Sequence, residues 1–162
     1  MTAPNSLLEL ASETVPMRTV FALELALAMD PRRVRLAQAL TLNAAKPLMG
    51  LRGSHGLFGS DEWWASIREG RMPLLRLSGD IVRVYRAGQD ASGADNTIDL
   101  KLADGQVQAV GIYLDDPTDV HLFLPGRRAA IVYALDEMKR QPAPDGTVNF
   151  SRVALEMAVS VP

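Results

Sequence analysis

Apolar residues change their spacing along this chain: before about residue 70 they recur every three or four positions, and after it they mostly alternate with polar ones. The first pattern belongs to helices and the second to strands. Ser6-Leu7-Leu8-Glu9 has capping-box spacing, which predicts a short first helix. Residues 16–29 open on Pro16 and are rich in Ala, Leu, Met and Glu, which predicts a second helix, apolar on most sides. Asp30-Pro31 supplies an N-cap followed by proline at the first helical position. In the helix that follows, Val34, Ala37, Leu40, Thr41 and Ala44 form an apolar stripe. Arg32, Arg33, Arg35 and Gln38 fall mainly elsewhere, and the helix ends before Pro47. The Asp30-Pro31 junction lacks the glycine-containing turn of a helix-turn-helix, so these helices read as a plain hairpin.

Gly50, Gly53, Gly56 and Gly59 punctuate residues 47–59 at three-residue intervals, which predicts a flexible linker, with His55 facing solvent. The domain boundary falls there. Ser60-Asp61-Glu62 then caps a short helix over 61–69, with acids in its first turn and Gly70 at its end. Adjacent helical residues point about 100° apart. Only one of Trp63 and Trp64 can therefore bury itself fully, leaving the other to contact a partner or the N-terminal helices.

Strands are expected from Leu74 onward. The first runs to Arg86 with a kink at Ser78-Gly79, and a polar loop over 87–96 leads to an alternating strand over 97–102. Asp104-Gly105 suits a two-residue type I′ turn, which would pair Leu102 with Val107, Leu100 with Ala109 and Ile98 with Gly111. A Pro125-Gly126 turn precedes a strand over 127–135 with Ile131, Tyr133 and Leu135 on one face. In the last strand Val153, Leu155, Met157, Val159 and Val161 alternate with Ala154, Glu156, Ala158 and Ser160. Together these predict an α+β chain: a helical segment over 1–50, a glycine-rich linker over 51–60, and a β domain over 61–162 preceded by its short helix. Within it, residues 73–161 form a small antiparallel barrel or sandwich, OB-like or SH3-like.

Composition narrows the chemistry. There is no cysteine, which removes disulfides, thiolate nucleophiles and Cys-based metal sites. A mean hydropathy of +0.03 argues against disorder and against a membrane class. The longest apolar stretch, residues 20–29, is interrupted by Glu24 and too short to span a bilayer, and Met1-Thr2-Ala3-Pro4 does not resemble a signal peptide, so a cytoplasmic address is expected. Residues 1–56 carry six Lys/Arg against four Asp/Glu, and the remainder eleven against fifteen. A β domain of negative net charge is poorly placed to bind nucleic acid.

Candidate sites are few. No nucleophile elbow, phosphate loop or EF-hand spacing occurs, and two histidines cannot build a multi-histidine metal site. His121 reads as a partly buried structural imidazole. Asp90, Asp95, Asp99, Asp115, Asp116 and Asp119 could bind calcium or serve acid–base chemistry, but turns collect Asp for local backbone bonding. No catalytic, cofactor-binding or metal-binding residues are assigned. The candidate binding surface comprises Trp63, Trp64, Arg83, Tyr85, Arg86, Arg127 and Arg128. The expected function is a non-enzymatic protein-interaction or assembly module, binding a protein partner or a second copy through its surplus apolar helix surface. Single-stranded nucleic-acid or oligomeric-ligand binding by the barrel face is the alternative.

Overall fold

A computed structural model describes residues 6–88 and 93–162. Its strands are Met17–Ala22 (β1), Leu74–Tyr85 (β2), Thr97–Lys101 (β3), Val107–Gly111 (β4), Arg128–Glu137 (β5) and Phe150–Ser160 (β6). Its α-helices are Leu23–Ala28 (α1), Pro31–Leu42 (α2) and Asp61–Arg68 (α3). The fold is α+β, an antiparallel sheet in the order β1-β6-β5-β2-β3-β4.

The sheet stays open, so the expected barrel is not formed. Closure would require the two edges, β1 and β4, to pair. Instead Asp115 occupies the outer side of β1: its N–H donates to Val20 O at 2.8 Å and its Oδ2 accepts from Ala22 N–H at 3.0 Å. Partial burial raises the pKa of this carboxyl despite the Ala22 bond.

Two helical expectations give way to long-range pairing. The first half of the helix expected over 16–29 is β1, paired with β6 from Met17 opposite Ser160 to Ala22 opposite Glu156, with the register shifting by one residue between Thr19 and Phe21. Thr19, Val20 and Phe21 suit a pleated strand, and the ladder outweighs local helix propensity. Only Leu23–Ala28 remains helical. The capping box at Ser6 does not close either. Glu156 takes its donors, with Ser6 Oγ at 3.0 Å and the Leu7 and Leu8 N–H groups at 2.9 and 3.1 Å, all to Oε1. This segment contains only a 3-10 turn, at Leu10–Ser12.

The helix starts at Asp30-Pro31 and Ser60 form as expected. Asp30 accepts from Arg33 N–H at 3.2 Å, and Ser60 Oγ accepts from Trp63 N–H at 3.2 Å. Gly70 ends α3 at φ +78°.

The hairpin at Asp104-Gly105 is present, with a register one residue away from the expected one. Leu100 faces Gln108 and Ile98 faces Val110. Gly105 has φ +84° while Asp104 does not enter the positive region, so the connection is not type I′. A three-residue loop, Ala103 to Gly105, is closed by Leu102 N–H to Gln106 O at 2.8 Å. The slip turns Val107 and Ala109 outward and Val110 inward. Gly79 is needed where β2 meets β3, because a Cβ there would run into the Lys101 carbonyl.

The chain divides into two compact units. The first comprises the stretch ending at Ala22, Arg76–Val132 and Ala154–Pro162, and the second Leu23–Leu75 and Tyr133–Val153. In the first unit Ile81, Ile98, Leu100, Ile131 and Met157 are core residues. Its N-terminal segment is held on the sheet by Glu156 and by Arg76 Nε, which donates to Leu7 O at 3.2 Å. Beneath it lies a cavity of about 100 Å³ lined by Leu8, Glu13, Arg76, Ser78 and Ala130 among others. In the second unit Leu23, Leu27, Phe58, Trp63 and Ile67 are buried, and α2 has no fully buried residue. Among the described residues no helix is long and apolar enough to cross a membrane.

Candidate interaction surfaces

The second unit is built around a buried tryptophan. Trp63 has no exposed surface; its ring meets Phe58 edge-on at 5.1 Å and Trp64 at 4.9 Å between centroids. Its Nε1–H donates to Asp136 Oδ2 at 2.9 Å. Asp136 is itself fully buried, and its Oδ1 has no partner among the described residues. Burial pushes this carboxyl up, and the Trp63 bond and the nearby His55 counteract it only in part. Trp64 is half-buried, with the Arg68 guanidinium 5.6 Å from its ring centroid. His55 is half-buried, and its carbonyl accepts from Ser66 Oγ at 2.9 Å.

The same unit presents an unusual helix surface. Around α2, the half-buried side chains Val34, Ala37, Gln38, Leu40 and Thr41 share one side. Arg32, Arg35, Leu36 and Ala39 lie on the other, at the three- and four-residue spacing that forms an outward stripe. Leu36 is 58% exposed and Leu42 69%, and α1 turns out Leu25 and, just past its end, Met29, which is 81% exposed. Arg33 sits over the Phe58 ring at 5.7 Å. Among the described residues Arg32 and Arg35 have no acidic partner.

In the first unit the outer face of the β2-β3-β4 meander brings Arg83 and Tyr85 together. The Arg83 guanidinium lies 4.1 Å from the Tyr85 ring centroid, and Tyr85 OH donates to Asp99 Oδ1 at 2.8 Å, a bond that raises the phenol pKa. Arg86 is exposed and donates to Ala94 O at 3.4 Å. Arg127 donates to Leu122 O at 2.9 Å. Arg128 belongs to a separate cluster: Nε to Glu13 Oε2 at 2.9 Å, NH1 to Asp80 Oδ1 at 3.2 Å and NH2 to Ser78 Oγ at 3.0 Å. Burial alone would lower its pKa, but the bonds and charges of Glu13 and Asp80 hold it above the ordinary value. Trp63 and Trp64 thus belong to one unit and the five other candidate residues to the other.

The acidic positions do local work. Asp116 accepts from Thr118 N–H and Oγ1 at 3.0 and 2.8 Å, which lowers its pKa, and buried Asp119 pairs with Arg18 at 3.3 Å. Asp95 is exposed, and Asp90 lies outside the described residues. His121 is exposed, not partly buried as expected, because it sits on a 3-10 turn, Pro117–Leu122, where its Nδ1 meets the Thr118 carbonyl. Among the described residues no group of three or more His, Asp or Glu side chains could hold a metal ion.

Sequence reasoning missed two features. Asp136 had a signal, the first acid after the apolar run from Ala129. The outward stripe of α2 had one too, since Arg32, Arg35, Leu36 and Ala39 repeat at helical spacing.

A family model described as Immunity protein RhsI2 matches residues 17–160, nearly the whole chain. No curated protein matches.

Proposed function

We propose, from the premise that the chain belongs to the RhsI2 immunity protein family, that it neutralises a toxin by binding it through the outward face of α1 and α2. An immunity protein acts as a protein-binding module, so the relevant chemistry is recognition rather than turnover. The observation that carries the choice of surface is the stripe on α2. Exposed Leu36 lies beside two arginines that have no acidic partner among the described residues, and Leu25 on α1 and Met29 just past its end are exposed. Arginine and methionine are enriched at protein interfaces, and arginine recurs among their energetically dominant residues. The partner surface that fits is acidic with an apolar centre, and on association each unpaired guanidinium gains a carboxylate.

The candidate residues of the β face support a binding role less well. Arg83 is stacked on Tyr85, Tyr85 is committed to Asp99, and Arg128 is held by Glu13 and Asp80. Single-stranded nucleic acid would have to displace those partners.

Titration calorimetry of the full chain against its toxin tests the proposal. Arg32→Glu with Arg35→Glu, and separately Leu36→Asp, should each weaken binding by about tenfold or more, since truncating a hot spot costs on the order of 2 kcal/mol. Thermal melting should stay unchanged, because these side chains point to solvent. Unaltered affinity in both variants would remove the reading.

A further inference from the structure

We propose that β4 is a self-pairing edge, through which two copies of this chain join their sheets across a two-fold axis. The argument starts from which backbone groups β4 has already used. In its ladder with β3, Gln106 bonds Leu102 and Ile112 bonds Asn96. In an antiparallel pair, bonded and non-bonded positions alternate. Gln108 and Val110 therefore bond to β3, while the N–H and C=O groups of Val107, Ala109 and Gly111 point away from it. β4 is the last strand in the sheet, and none of those groups has a partner among the described residues.

Bare edges are normally protected by charge, proline or a bulge. Residues 107–111, Val-Gln-Ala-Val-Gly, have no charged residue and no proline, and their register with β3 is unbroken. The opposite edge, β1, is covered by Asp115.

The pattern of free groups favours a second copy over an unrelated strand. They are symmetric about Ala109. Two β4 strands running antiparallel with Ala109 opposite Ala109 place Val107 against Gly111 in both directions, and every outward N–H meets an outward C=O. The side chains fit this register. Small meets small at the axis, and the exposed Val107 meets a glycine with the Tyr113 ring packed on it. No like charges oppose each other within the strand. Such an isologous contact is the commonest way for identical chains to associate. The contact is short, so the dimer forms at high protein concentration and dissociates on dilution.

Sedimentation velocity over a wide concentration series tests the idea on the full chain. The wild type should move from monomer to dimer. Ala109→Pro should remain monomeric at every concentration with an unchanged far-ultraviolet spectrum, because the N–H it removes does not bond to β3. Ala109→Lys and Ala109→Glu provide a test that does not depend on proline. Each alone should be monomeric, since it meets its own charge across the axis, and an equimolar mixture should recover the dimer. A wild type that stays monomeric throughout would overturn the proposal, leaving the edge to some other strand or to none. So would a dimer that survives Ala109→Pro, a mixture that fails to associate, or a dimer lost instead with Leu36→Asp, which would assign self-association to the helix face.

Discussion

Replacing Trp63 with Phe probes the most demanding polar contact in the second unit. The substitution removes the indole N–H that donates to Asp136 Oδ2 at 2.9 Å, and Oδ1 already lacks a partner among the described residues. The carboxyl is then left buried without its side-chain donor. A hydrogen bond to a charged group contributes roughly 1.5–3 kcal/mol. The smaller ring leaves a void at a fully buried position, adding about 1–2 kcal/mol. Urea unfolding at neutral pH should therefore report a loss of about 3–5 kcal/mol with an unchanged slope. Trp64→Phe is the comparison. Its ring is half-exposed, and the change should cost under about 1 kcal/mol. In an Asp136→Asn background the cost of Trp63→Phe should fall by about 1–2 kcal/mol, since the bond lost there is between neutral groups. A Trp63→Phe variant within about 1 kcal/mol of wild type, or one whose cost is the same in both backgrounds, would refute the argument.

Three further outcomes follow from named contacts. Burial raises the Asp136 pKa above the ordinary 3.8, against the Trp63 bond, His55 and the Glu137 backbone N–H, while the Glu137 charge adds a little to the rise. The native state therefore holds this proton more tightly than the unfolded chain, and the stability it confers is present below 3.8 and lost as pH rises through the folded value. Denaturation curves of wild type and Asp136→Asn should show the wild type losing ground as pH increases, and a difference that grew in its favour would contradict the assignment. Gly79→Ala should destabilise by about 2–4 kcal/mol in thermal unfolding, because its methyl group meets the Lys101 backbone and not a movable side chain; a neutral result would mean the β2–β3 approach is looser than described. Glu13→Gln should cost about 1–3 kcal/mol in chemical denaturation by weakening the contact to Arg128, and no loss would show that the cluster contributes nothing to holding the N-terminal segment.

Local signals were read best where the decisive interactions lie close in sequence. Asp30-Pro31, Ser60 and Gly70 punctuate their helices as their side chains and backbone dihedrals require, and strands appear where apolar residues alternate. The reading failed where a distant group decided the outcome. Nothing near Met17 announces that β6 will pair with it, and nothing near Ser6 announces that Glu156 will take its capping donors. The hairpin shows a finer limit: Asp104-Gly105 suits both a two-residue and a three-residue loop, and only the core positions of Ile98, Leu100 and Val110 choose between them. Of the candidate surface, the unequal burial of Trp63 and Trp64 followed from helix geometry alone. The exposed stripe of α2 was written at helical spacing but could not be recognised as uncovered until its opposite side was seen to lack full burial.

Hydrogen–deuterium exchange of the chain alone and in complex with its toxin, at a concentration where the free chain is monomeric, tests the central claim most directly. The account predicts slowed exchange concentrated in residues 24–42, with the 97–111 hairpin unchanged. Protection confined to the hairpin, with α1 and α2 exchanging as in the free chain, would contradict it.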